Sequence, residues 1–305
     1  MHTISQIGST VKRIVQWTVA LAAYAFLLYT LVTFDRYADF AATLSSASVW
    51  QYLALSLCLL LMPLNLFLEA WKWRTLLRSV EPATMQEAQR QVYYGMAAAF
   101  VTPYRIGDYP ARILLLRNRA HYAPAAARAV LGSTMLTAVI LLAGIPAFAF
   151  GFAQTSLFPL SGIETYITLT LIMAALLLVA VLLAPLVARK YKITYSDCGI
   201  LLLQSLSRYL CFSLQLWLAL YFCGVYLPVH QALAAIPAYY LLVTVMPNMP
   251  AADLGIRGSL AVFVFGFFVP SAQPNIILAT TVMWLVNTLL PVFFGAVGIR
   301  CSKSA

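Results

Sequence analysis

The chain has 305 residues, 63% of them hydrophobic and 9% charged, with a formal net charge of +10. No soluble domain needs that balance, so the composition excludes a soluble enzyme or binding module and indicates an all-α polytopic membrane protein. The positive charge points to cytoplasmic loops, where basic residues gather in membrane proteins, and not to nucleic acid.

Lys12 and Arg13 precede a first apolar run over 14–34. Its length crosses ~30 Å of hydrocarbon at ~1.5 Å per residue. No small-residue cleavage site precedes Asp35, so the run reads as a retained helix and not a cleaved signal. A second helix is expected over 49–68, kinked at Pro63. It ends in NLFLEAWKWRTLLR, where Trp71 and Trp73 suit the headgroup belt and Lys72, Arg74 and Arg78 a cytoplasmic edge.

Residues 93–116, YYGMAAAFVTPYRIGDYPARILLL, are apolar enough to enter a membrane but are broken by Pro103, Gly107 and Pro110. The leading arm, 91–104, would be a helix of roughly 21 Å, too short to span. Further helices are expected over 129–152, 165–187 and 199–222, the last containing Arg208. A second broken stretch over 232–268 carries Pro247, Pro250 and Gly255 at its centre, and a final helix covers 276–299.

Loop charge selects a topology. If both broken stretches are re-entrant and the N-terminus is inside, fourteen basic loop residues fall inside and Arg36 alone outside. Spanning stretches would even out the two sides, so the positive-inside bias favours re-entrant hairpins. The result is one membrane domain over 1–305 with about six spanning helices and two re-entrant hairpins. It forms an inverted-topology repeat, 12–153 and 165–300, with both termini cytoplasmic, as in transporters that alternate access around a midplane site.

Arg105, Asp108, Arg112, Arg208, Asp253 and Arg257 fall within membrane depth. Each such charge costs about 2.5–3.5 kcal/mol on insertion scales, so pairing, water or function must accompany them. Arg105–Asp108 and Asp253–Arg257 can pair within their own hairpins, which leaves Arg112 and Arg208 in excess. A net positive cavity suits a phosphate, which arginine binds bidentately. Half-helix N-termini after Gly107 and Gly255 would add N–H donors. The plainer readings are that the pairs only pin the tips, that Arg112 snorkels to the surface, and that the tyrosines flanking the breaks are interfacial anchors. Glu69, at a helix end, reads as interfacial and structural. His121 and His230 read as solvated. The five cysteines form no CxxC or Cys/His cluster, so the expectation is no metal, no cofactor and no disulfide framework.

Three segments together carry a resemblance: NLFLEAWKWRTLL, FVTPYRIGDYPAR and MPNMPAADLGIRGSL. In order and spacing the chain resembles the flippase-like family named for the transmembrane region of lysylphosphatidylglycerol synthase. The family's tip pattern is matched by Pro103, Arg105, Gly107, Asp108 and Arg112, and its later turn by Gly255, Ile256 and Arg257. Gly258 stands where the family often has an acid. No counterpart of the fused synthases' aminoacyl-transferase domain is present in this sequence, so the resemblance implies the lipid-translocating half alone.

Three function classes follow. The first is a flippase or transporter in a prokaryotic plasma membrane, moving an anionic phospholipid or lipid-linked head group between leaflets. The others are a membrane-embedded enzyme, such as a polyprenyl-diphosphate phosphatase, and a non-transporting accessory protein. Phosphate release would mark the second, and tolerance of substitution at all six buried charges the third. The lipid, the coupling ion and the oligomeric state are not legible.

Overall fold

A computed structural model describes residues 32, 41–42, 45–102, 105–152, 195–246 and 252–292. The expected helices over 14–34 and 165–187, together with Pro103, Pro247 and Pro250, lie outside the described residues. What is described is helical, and no strand occurs among the described residues.

The elements fall into two sets in the same order. The first set is α1 (Val49–Leu77), α2 (Met85–Val101), α3 (Asp108–Ile113) and α4 (Tyr122–Phe152). The second is α5 (Tyr195–Phe222), α6 (Val229–Val245), α7 (Asp253–Phe268) and α8 (Gln273–Trp284), which runs on through a π-helical turn, Leu285–Leu289. Corresponding members match in length: α1 and α5 have 29 and 28 residues, α2 and α6 have 17 each.

The stretches Val49–Leu77, Arg119–Ala149 and Pro270–Val292 are long and apolar enough to cross a membrane. At 17 residues, α2 and α6 each rise about 26 Å, short of ~30 Å of hydrocarbon. Capping boxes start both helices of the first pair. The Ser48 N–H donates to Gln51 Oε1 over 2.8 Å ahead of α1, and the Thr84 N–H donates to Glu87 Oε2 over 2.8 Å ahead of α2. The expected end of α1 at 68 is too early: the helix continues to Leu77 and passes through Pro63 without ending. Likewise α4 begins at Tyr122, before the expected 129.

α1 is an inside-out helix. Leu57, Leu60, Leu64 and Phe67 face outward, while Gln51, Asn65, Glu69 and Lys72 are buried. Exposed leucines on a long helix suit lipid, and buried polar groups must then be satisfied within the protein. They are satisfied largely by α5. Gln51 Nε2 donates to the Phe222 carbonyl, Gln215 Nε2 to the Cys58 carbonyl, and Gln204 Nε2 to Thr75 Oγ1, at 3.1, 2.9 and 2.9 Å. Partner numbers rise on α1 as they fall on α5, so the two helices run antiparallel.

Two apolar cores result. One packs Trp73, Leu77, Val92 and Ile113 of the first set; the other packs Leu216, Tyr239, Phe265 and Ile276 of the second. α4 lies against α6 through small residues. A Cβ on Gly144 would come within 2.8 Å of the Pro237 carbonyl, so only glycine allows that approach.

Candidate functional site

Where the two cores meet lies a cavity of about 330 Å³, lined by Leu66 and Met96 from one and Leu216 and Tyr239 from the other. That is the lower end of ligand-pocket size. Arg105, Asp108, Arg112, Arg208 and Arg257 all face it. Asp253 lines a smaller adjoining pocket that shares Arg105 and Trp284.

The first tip is built around Thr102. Its hydroxyl donates to the Ala98 carbonyl over 2.8 Å and accepts from the Gly107 N–H over 2.9 Å. A Cβ on Gly107 would sit 2.9 Å from that same carbonyl, so the turn needs glycine there. α3 follows at once, with Asp108 in its first turn and Arg112 in its last, the order the helix dipole favours. Pro110 sits within that first helical stretch, where a missing N–H is tolerated. The second tip repeats the arrangement: Asp253 opens α7 and Arg257 follows one turn on. Gly255 is therefore inside α7, and the expectation that a half-helix begins after it is corrected. An acid is the better first-turn residue.

The ion pairs differ from those expected. Asp108 pairs with Arg112, not Arg105: Arg112 Nε donates to Asp108 Oδ1 over 2.7 Å. The i,i+4 spacing puts both on one helix face, which i,i+3 across the break does not. Arg257 Nε donates to Asp253 Oδ1, also over 2.7 Å, as expected. Asp253 Oδ2 accepts from Trp284 Nε1 over 3.0 Å.

Arg112 and Arg208 are not left in excess, because Glu69 lies between them. Arg112 Nη1 donates to Glu69 Oε1 over 2.8 Å, and Arg208 Nη1 donates to Oε2. Lys72 Nζ is 3.3 Å from the same Oε2. Glu69 is therefore central to a buried cluster, and Lys72, 2% exposed, is buried within that cluster and not exposed at a helix end. Nor does Arg112 snorkel: it is 2% exposed and stacks over the Trp73 and Tyr109 rings. The sequence carried a usable signal here. Asn65, Glu69 and Lys72 share one face of a helix that is otherwise apolar.

A polar chain continues from Arg208. Its Nε donates to Asn65 Oδ1, Asn65 Nδ2 to Asn287 Oδ1, and Asn287 Nδ2 to Gln215 Oε1, over 3.1, 3.2 and 3.0 Å. Asn287 sits in the π-helical turn, and single π turns recur at functional sites. Composition offers no cue to such a turn. Tyr239 and Tyr240 line the cavity and are not interfacial anchors. His121 is also not simply solvated, since its Nδ1 lies 2.8 Å from Glu81 Oε2.

Arg105 differs from the other arginines. Its φ of 56° is the left-handed region, which costs an ordinary residue about 1–2 kcal/mol. Among the described residues its guanidinium has no hydrogen bond or ion pair. It lies in electrostatic reach of Asp108, Asp253, Arg208 and Arg257, between the two tips.

Residues 17–196 match the family model described as the lysylphosphatidylglycerol synthase TM region, more than half of the chain. The match takes in Asn65, Glu69, Lys72, Arg105, Asp108 and Arg112, and ends before Arg208, Asp253 and Arg257. No curated protein matches the chain.

Proposed function

We propose that this chain, an integral membrane protein that belongs to the lysylphosphatidylglycerol synthase TM-region family, is a flippase or transporter of an anionic lipid. Its membership and its long apolar helices make it a membrane protein of lipid-related function. The finer reading rests chiefly on Arg105. A strained arginine, facing a cavity between two acid–arginine pairs, is an anion receptor waiting for a partner. Hydrogen bonds to charged groups contribute about 1.5–3 kcal/mol each, net of the water they replace.

In this reading Arg105 and Arg257 hold the phosphate. Asp108 and Asp253 fix the arginines beside it, and Glu69 keeps Arg112 and Arg208 in place without cancelling their field. The acyl chains stay in the bilayer. The short α2 and α6 are the leading arms of two re-entrant hairpins. Antiparallel α1 and α5 belong to two inverted halves that rock about the site, exposing it to either leaflet. In this reading the membrane is a prokaryotic plasma membrane, and the basic loops favour cytoplasmic termini.

The test is reconstitution into vesicles carrying a head-group-labelled anionic phospholipid, with Arg257→Ala beside the parent chain. Label in the outer leaflet should equilibrate with the parent and not with the variant. Equal rates in both would sink the reading. Release of phosphate from a polyprenyl diphosphate by the same preparation would favour an enzyme instead.

A further inference from the structure

We infer that the outer face of α1 holds an anionic bilayer phospholipid by its phosphate, at a site separate from the central cavity. The inference needs only that the chain spans a membrane, and it goes beyond the transport reading.

Alternating steps of four and three residues align Leu60, Leu64, Phe67, Trp71, Arg74 and Arg78 on one face of the helix. All six are exposed. Glu69 lies on the opposite face and is buried, so a ligand on this stripe does not share the central cavity. Trp50, also exposed, precedes Trp71 by about 32 Å of helix at ~1.5 Å per residue. That length matches ~30 Å of hydrocarbon with a tryptophan at each interface. Arg74 and Arg78 then stand about 5 and 10 Å beyond the hydrocarbon edge, at the level of the head groups.

The turn into α2 folds back beside this end of α1 and makes a groove. It is open, has a volume of about 410 Å³, and is lined by Trp71, Arg74, Thr75, Arg78, Pro82 and Ala83. Its walls are fixed. Arg74 Nε donates to the Ala83 carbonyl over 3.2 Å. Thr75 Oγ1 donates to the Trp71 carbonyl over 3.0 Å and accepts from Gln204 Nε2 on α5. The Nη groups of Arg74 stay available to a ligand, and among the described residues the Arg78 guanidinium has no hydrogen bond or ion pair. The acids of the same turn are committed elsewhere. Glu81 accepts from the N–H groups of Arg117 and Asn118 and meets His121, and Glu87 accepts from the Thr84 N–H and from Arg117.

Two guanidiniums one helical turn apart suit phosphate oxygens. A free phosphate would use the arginines and nothing else. A phospholipid uses the whole stripe: its phosphate between Arg74 and Arg78, its glycerol esters beside the Trp71 indole, and an acyl chain along Phe67, Leu64 and Leu60. From Trp71 to Leu60 the helix runs about 16 Å, the depth of one leaflet's hydrocarbon.

Trp71 fluorescence reads the site. The full chain is placed in phosphatidylcholine nanodiscs containing a minority of phosphatidylglycerol brominated on its acyl chains. A parallel set carries the bromine on the same fraction of phosphatidylcholine. Subtracting the signal of Trp71→Phe isolates Trp71, which faces away from the central cavity. Brominated phosphatidylglycerol should quench Trp71 more than brominated phosphatidylcholine does. Arg78→Gln keeps the Arg74–Ala83 bond and should weaken the relative affinity for phosphatidylglycerol about fivefold, and Arg74→Gln with Arg78→Gln about thirtyfold. Equal quenching by the two brominated lipids in the parent, or an unchanged excess in the double variant, overturns the inference. Loss of the excess on adding millimolar inorganic phosphate at constant ionic strength would assign the groove to a free anion and overturn it as well.

Discussion

The two tips share one local grammar and use it differently. Each opens a helix with an aspartate and places an arginine one turn later, and in each the Nε–Oδ1 distance is 2.7 Å. The first pair is then locked: Arg112 also reaches Glu69, is stacked on two rings, and has a side chain 2% exposed. The second stays open, with Arg257 22% exposed at the cavity. A repeated motif thus supplies a fixed anchor in one half and an available donor in the other. The first tip compensates with a second arginine, Arg105, which faces the cavity from a strained backbone.

The strongest way to break the comparison is Glu69→Ala. Removing that carboxylate leaves Lys72, Arg112 and Arg208 buried without their common partner. Loss of one member of a buried pair costs about 3–5 kcal/mol. Thermal unfolding in detergent should show a large fall, and Arg112→Ala should behave similarly. Arg257→Ala should destabilise less, because its site is wetter. Equal losses at Arg112 and Arg257 would erase the distinction drawn between the tips.

Gly95→Ala sharpens it at smaller cost. A Cβ on Gly95 would lie 2.3 Å from Asp108 Oδ1 and 2.7 Å from Arg112 Nε, so α2 approaches the first pair only because residue 95 is glycine. Overpacking of this kind costs about 1–3 kcal/mol. The expected result is a lower unfolding midpoint together with weaker lipid binding. An unchanged midpoint would show that the pair has room to move.

The smallest effect belongs to the loop outside the membrane that follows α3. Burial pushes the Glu81 carboxyl up, but N–H donation from Arg117 and Asn118 and contact with His121 outweigh it, so Glu81 titrates below its ordinary 4.5. A depressed folded value means the clasp contributes stability above about pH 4.5 and loses it as pH falls through that lower value. Limited proteolysis at Arg117 and Arg119 should accelerate on acidification. Glu81→Gln should reproduce that acceleration at neutral pH, and cleavage insensitive to both would remove the clasp from the account.

The membrane class, the two breaks and the six central charges were legible because each depends on composition or on prolines and glycines at fixed places. The pairing was harder to read. Asp108 has an arginine on either side in sequence, and only the helix that begins at Asp108 selects Arg112 over Arg105. Glu69 was misplaced because a helix end with two tryptophans and three basic residues resembles an interface. Yet α1 runs nine residues past the expected end at 68, to Leu77, and carries Lys72 and Trp73 into the interior. Asn287 could not be foreseen, since a π turn depends on packing against α1 and α5.

The central claim is that Arg105 receives the lipid's phosphate. The most direct test compares flipping of labelled phosphatidylglycerol by the parent chain, Arg105→Ala and Arg105→Gly, with unfolding midpoints measured on the same samples. The account predicts that both variants lose flipping while Arg105→Gly unfolds no earlier than the parent. Flipping retained by Arg105→Gly would contradict it, because the guanidinium would then be dispensable.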